Sequence, residues 1–334
     1  MRRLAVLLAG ALLVAGCSTG RGNPDGPLQV AETLQAATPA KAPEQTGTPA
    51  GTVLALAGAA SSTVVDPASR TLAVAVDQPP AVWLWSLDDL AAPPRSVPLP
   101  APTAQLSLDT AANTVLAPVP SANQLLRITP TTGAATSLAV DGGPVSAATV
   151  AGHTLVALGQ AKAVAVFDGD QLARTISGVT SADQVVANDR HAAMVDRLRT
   201  AVFTLDPTST SQGPGLRAGD GAVNAVTDRF DRVLVTDARS GELLVFSLDP
   251  LLMRQRFPVP GTPYGIAYDP GRDLAWVTLT ERNEVVGYDV AGGEPVERYR
   301  FPTVTQPNSV TVDPSSGRVF VASATGQGVQ VVQP

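Results

Sequence analysis

Residues 263–290 read PYGIAYDPGRDLAWVTLTERNEVVGYDV. Three short runs stand out, at 265–268, 274–279 and 284–289, rich in aliphatic, β-branched and aromatic side chains. A DPGRD turn separates the first two, and a polar TERN loop the last two. Runs of about four to eight such residues, bounded by Asp, Pro, Gly and Asn, are strands. A three-stranded meander cannot bury both of its faces alone, so it needs copies of itself to pack against. The chain supplies them. AVNAVTDRFDRVLVTDARSGELLVFSLD precedes at 222–249, and PNSVTVDPSSGRVFVASATGQGVQVVQ follows at 307–333.

The recurring mark is the turn after the first strand of each unit. It reads DPASR from Asp66, DTAAN from Asp109, DRFDR from Asp228, DPGRD from Asp269 and DPSSG from Asp313. AGH at Ala151 and NDRH at Asn188 are weaker versions, so seven marks fall about 41 residues apart. Each unit holds three clear strands and a more polar fourth, as at 95–99, 136–140 and 296–301. Four strands in some forty residues is the size of a propeller blade. The last unit stops after its third strand, VQVVQ at 329–333, and TVLALA at 52–57 is spare before the first. The expected fold is all-β: a seven-bladed β-propeller of four-stranded blades over 52–334. Its N-terminal strand completes the last blade and leaves no open sheet edge at the seam.

Hydrophobic residues make up 44% of the chain and aromatics only 4%, so the core must be built from Ala, Val and Leu between closely stacked sheets. The net charge of −6 leaves no basic face for nucleic acid. A lone cysteine excludes an internal disulfide framework and cysteine-rich zinc sites.

Met1-Arg2-Arg3 is a short basic start, and residues 4–16 carry no charge. That run is shorter than the roughly 20 residues a spanning helix needs. It suits a signal peptide over 1–16. It ends in Leu13-Val14-Ala15-Gly16-Cys17, which resembles a bacterial lipobox. The resemblance implies that Cys17 is lipidated and becomes the first residue of the mature chain. The membrane would then be a partner through that lipid, and the protein would sit on the outer face of the cell membrane. Residues 17–51 would be the lipid-bearing cysteine and a disordered tether, because their Thr, Ala, Pro and Gln cannot offset ordering entropy by burial. Within the tether, LQVAETLQAA at 28–37 has local helix propensity.

The repeats resemble the YVTN/NHL class of bacterial propellers, through Trp276-Val277-Thr278 with Tyr288-Asp289 and Leu234-Val235-Thr236 with Phe246. The chain is also similar to mycobacterial LppL-type lipoproteins, most clearly over GELLVFSLDPLLMRQRFPV at 241–259 and in PYGIAY, VVGYDV, PVERYRFPTV and QPNS. This resemblance implies a cell-envelope lipoprotein with a propeller. It brings no reaction and no catalytic residues.

In a propeller, the loops leading into each innermost strand share one face with the loops between second and third strands. On that face the first set contributes Gln105, Asp183, Asn224, Tyr264 and Asn308. The second contributes Arg197, Arg199, Arg239 and Arg282, a basic group in an acidic chain. Arginine offers a planar fork suited to carboxylates and phosphates. Acids in the same loops (Asp196, Asp237 and Glu281) are candidate ion-pair partners for them. The first expectation is therefore a binding scaffold with no cofactor, taking a protein, peptide or envelope glycan at the channel mouth. The alternative is a metal-dependent lactonase or hydrolase of the gluconolactonase type. There Asp183, Asn224 and Asn308 would supply oxygen ligands to a divalent cation, or else simply hydrogen-bond turn backbones. His153 and His191 fall in turns on the opposite face, and there is no GxSxG, HExxH or P-loop. Trp83 and Trp85 share one side of their strand and are expected to pack between blades.

Overall fold

The structure is a computed structural model that describes residues 34–45 and 47–334. The expected signal peptide and Cys17 lie outside the described residues. Among the described residues strands dominate, and helix is limited to one 3₁₀ turn at Pro120–Ala122. No helix among the described residues is long and apolar enough to cross a membrane.

The strands form seven four-stranded antiparallel sheets, each a meander. In chain order they are blade one (60–98), two (107–139), three (144–176), four (184–217), five (222–258), six (263–302) and seven (307–332). Blade seven takes its outermost strand from the other end of the chain. Thr52–Leu54 pairs antiparallel with Val329–Val332, Thr52 opposite Val331 and Leu54 opposite Val329. The N-terminal closure is therefore present, confined to three of the expected six residues. Gly51 admits it: its φ is +72°, and a Cβ there would run into the Val331 carbonyl.

Burial explains why the middle strands read as unbroken apolar runs. In Arg232–Asp237, Val233 and Val235 pack toward blade four while Leu234 packs toward blade six. Sheets covered on both faces need apolar residues at every position. Between each neighbouring pair of blades sits one apolar cluster, and the cluster between blades seven and one, with Trp85, Phe320 and Val331, completes the ring. Trp83 packs against that same cluster. The fourth strands, by contrast, face solvent. Val296–Pro302 is exposed along most of its length, its arginines held by Asp289, Glu284 and Glu297.

The seven turn marks lie where the sequence places them, and their side chains explain them. Asp66, Asp228, Asp269 and Asp313 each accept the backbone N–H two residues on, at 2.9–3.1 Å. Asn188 does the same for Arg190. These are Asx turns. Blade three makes its turn differently, with Ala151 and Gly152 both at positive φ.

Inner strands fan out around the channel, and polar side chains bridge them. The Ser62 hydroxyl accepts from Leu106 N–H (2.9 Å), Ser107 donates to the Ala147 carbonyl (2.7 Å), and Ser146 accepts from Val185 N–H (3.2 Å). Gln184 accepts from Ala225 N–H (2.8 Å), Asn224 donates to the Tyr264 carbonyl (3.0 Å), and Ser309 accepts from Thr63 N–H (3.0 Å). Blade six has no such side chain at the matching position. It has Gly265, where a Cβ would lie 2.9 Å from the Asn308 carbonyl oxygen, so the backbones of blades six and seven approach directly.

The stretch expected as a free tether is bound to the propeller where it is described. Residues 34–45 cross the face that carries the second-to-third-strand loops, from blade five to blade seven. Leu34–Ala37 are not helical, and the rest of the possible helix lies outside the described residues. The segment is held mostly by its backbone, which composition does not report.

Candidate functional site

A channel of about 1160 Å³ runs along the ring axis, walled by the inner strands of all seven blades. Six of the nine mouth residues expected from sequence line it: Gln105, Asp183, Arg197, Asn224, Tyr264 and Asn308. Arg199, Arg239 and Arg282 do not. Each innermost strand enters the ring from this face, so residues about 40 apart in sequence become neighbours around the mouth.

Arg197 is the centre of the polar network. Its chain leaves the second-to-third-strand loop of blade four and turns inward. There Nε donates to the Val223 carbonyl (2.7 Å) and Nη2 to Asn224 Oδ1 (3.1 Å). Asn224 uses its other end on the Tyr264 carbonyl, so its amide spans two blade junctions. Asp183 Oδ2 accepts from the Ser181 hydroxyl (2.5 Å) and the Arg197 backbone N–H (2.8 Å). Asn308 Oδ1 accepts from Gln306 Nε2 (3.0 Å). Gln105 makes no hydrogen bond among the described residues and stands on the wall of blade two.

This arrangement does not suit a divalent cation. The guanidinium of Arg197 occupies the oxygen that Asn224 would offer, and a fixed positive charge beside the site opposes a second one. No group of three or more His, Cys, Asp or Glu that could hold a metal exists among the described residues. Asn224 bonds across neighbouring blades, while Asp183 ties two loops of blade four together.

The four arginines share a face without forming one basic patch. Arg199 Nε lies 2.7 Å from Asp196 Oδ2, and its guanidinium rests 4.6 Å from the centre of the Phe203 ring. Its Nη2 is buried with no partner. Arg239 reaches outward, Nη1 to the Asp220 carbonyl (3.0 Å) and Nη2 to the Gln35 carbonyl (2.6 Å). Of the four, only Arg282 has a side chain with no hydrogen bond or ion pair among the described residues, and it is exposed. Of the acids in the same loops, Asp196 pairs as expected. Asp237 instead caps its loop, accepting the Arg239 and Ser240 backbone N–H groups, both at 3.0 Å. Nearby, a hydrogen bond from Arg217 holds the Asp220 carboxyl below the usual carboxylate range, against the opposing effect of burial.

Sequence reasoning missed the strap formed by residues 34–45 and the residues that hold it. Ala40 N–H donates to Thr280 Oγ1 (3.1 Å). Gln306 clamps two strap residues at once, accepting from Ala42 N–H (2.9 Å) and donating to the Ala40 carbonyl (2.8 Å). Asn283 Nδ2 donates to the Pro43 carbonyl (3.0 Å), and Gln45 Nε2 donates to the Thr303 carbonyl (2.9 Å). Ala37 is the strap's one buried side chain, packed with Val223 and Ala238 beside Tyr264. Gly221 makes its seat, since a Cβ there would lie 2.9 Å from that of Ala37. Nothing in an Ala/Thr/Pro-rich stretch announces such a path. His153 and His191 pair with Asp168 and Asp231 on the opposite face, away from the mouth.

No family model matches the chain, and no curated protein matches it in sequence. Solved structures match it in fold. A chain of a mitotic checkpoint complex superposes with a TM-score of 0.74 at 10% identity, covering 92% of this chain and 98% of that one. A chain of the hydrazine synthase of Kuenenia stuttgartiensis gives 0.70 at 14% identity, covering 86% and 99%. Streptogramin B lyase gives 0.70 at 10% identity, covering 84% and 97%. The class is thus a seven-bladed β-propeller scaffold, whose structural neighbours serve unrelated purposes. At such identities the likeness is one of fold alone.

Proposed function

We propose that the protein is a lipid-anchored propeller of the cell envelope, of the LppL-type its sequence resembles, which binds a protein, peptide or envelope glycan at its channel mouth. The anchor rests on the lipobox-like LVAG-Cys17. The observation that carries the binding role is the mouth itself. A channel of about 1160 Å³ keeps Gln105 without a hydrogen-bond partner and Asp183 Oδ1 uncommitted on its wall. Polar groups held in place by a rigid frame and facing a cavity are what a recognition site needs. No observation favours hydrolysis: of the candidate ligands, Asn224 Oδ1 is held by the Arg197 guanidinium and Asn308 Oδ1 by Gln306.

The test has two arms. Cys17→Ala is expected to move the protein from the detergent phase to the aqueous phase, or to leave it unprocessed. Unchanged partitioning removes the anchor. Gln105→Ala combined with Asp183→Ala is expected to abolish capture of ligand from envelope extract. Recovery of the same partners by a folded double variant removes the mouth as the binding site.

A further inference from the structure

The strap is bound as a peptide is bound by a receptor. Every hydrogen bond the propeller gives it, apart from the one Gln45 makes, goes to strap backbone: the Gln35, Ala40 and Pro43 carbonyls and the Ala40 and Ala42 N–H groups. Gln306 donates to one backbone group and accepts from another two residues on, as a neighbouring strand would. The single side-chain pocket, floored by Val223 and Ala238, holds an alanine. Recognition by backbone bonds with one small pocket does not depend on the rest of the segment's sequence.

We infer that the face of blades five to seven is a groove for an extended, alanine- and proline-rich segment of a partner protein, with a small residue at the Ala37 position. The chain's own residues 34–45 hold that groove until the partner replaces them. The occupant's chemistry follows from the occupant in place. It has no helix or turn, leaves Leu34, Gln35, Lys41 and Glu44 exposed, and is punctuated by Pro39 and Pro43, which keep it from folding into a helix. The groove carries no requirement for charge, because Lys41 and Glu44 of the strap are exposed. This inference rests on the proposal that the mouth face binds, and specifies the partner class for its blade five-to-seven side.

The probe is a fluorescent peptide, LQAATPAKAPEQ, identical to residues 34–45. It is titrated by anisotropy against the full chain and against a full chain whose residues 34–45 are replaced by Gly-Ser repeats of equal length. The replaced chain is expected to bind the peptide at least tenfold more tightly than the intact chain. Gln306→Ala in the replaced chain is expected to weaken binding at least tenfold. A folded replaced chain that does not bind the peptide, or binding indifferent to Gln306→Ala, overturns the inference. Should the replaced chain not fold, hydrogen exchange of the intact chain decides. Saturating peptide is expected to expose the Ala40 and Ala42 amides, and unchanged protection overturns the inference. Peptide-induced exchange of straps between two copies, seen as a concentration-dependent dimer, also overturns it. Failure here with capture still dependent on Gln105 and Asp183 leaves the binding proposal standing. The reverse result removes that proposal and keeps the groove.

Discussion

Gly265 shows how one missing atom can stand in for a side chain. At the other blade junctions named above a Ser, Gln or Asn bridges two inner strands, each bond contributing about 0.5–1.5 kcal/mol net. At blade six the strand comes so near blade seven that a methyl group would meet the Asn308 carbonyl oxygen and the Thr278 hydroxyl, both at 2.9 Å. Gly265→Ala is therefore expected to destabilise the protein by about 1–3 kcal/mol, the usual range for overpacking. Urea denaturation measures this, and an unchanged midpoint refutes the close approach. Residue type was legible in the sequence at these positions, but residue role was not. An Asn on the channel wall can stand free or bond its neighbour's backbone, and Asn224 does the second, donating to the Tyr264 carbonyl while its oxygen accepts from Arg197. The Asp of each turn was easier, since an Asx turn is closed within two residues.

The elements most legible were those whose hydrogen bonds are local. Meanders and turns repeat because each strand pairs with the next in sequence, and the period of about 41 residues survives even where the turn chemistry changes to Ala151-Gly152. Strand ends were less legible. TVLALA pairs over Thr52–Leu54 only, while Leu56 turns in against the cluster between blades seven and one. This short strand nonetheless carries the closure. Removing the chain through residue 50 leaves Thr52–Leu54 in place and should cost the strap's contacts and the two hydrogen bonds of Ala50, to the Pro302 carbonyl and from Gln330. Removing it through residue 58 takes away the pairing and the packing of Leu54 and Leu56, and exposes the edge of Val329–Val332. Losses of this size, about 3 kcal/mol, lower the melting temperature by roughly 5 °C in a domain this large. Equal melting temperatures for the two truncations would show that the ring does not depend on the strand.

At the scale of the molecule, a ring brings together residues that the sequence keeps about 40 positions apart, and that is why the mouth could be listed by position but not drawn. Six of nine expected residues do line the channel, because blade topology alone decides which loops share a face. The basic patch failed as a patch, because orientation within a loop is set by local partners such as Asp196 and the Gln35 carbonyl. The strap was illegible for a different reason: its bonds are backbone bonds, and composition is silent about them. Its placement in the chain has a further consequence. Strap and closing strand are consecutive, joined through residues 46–51, of which Gly47 and Thr48 are exposed. While that link is whole, the strap meets its groove at an effective concentration on the order of millimolar. A single cut between Gly47 and Thr48 leaves Thr52–Leu54 paired and the ring shut, yet puts the strap on a separate fragment, the one that carries Cys17, no longer tied to its groove by the chain. Limited proteolysis is thus expected to vacate the groove without lowering the melting temperature by more than a few degrees. Loss of the strap from the clipped protein on gel filtration would register it. One peptide bond would then set the difference between a guarded surface and an open one, and the change would be irreversible for the life of the molecule.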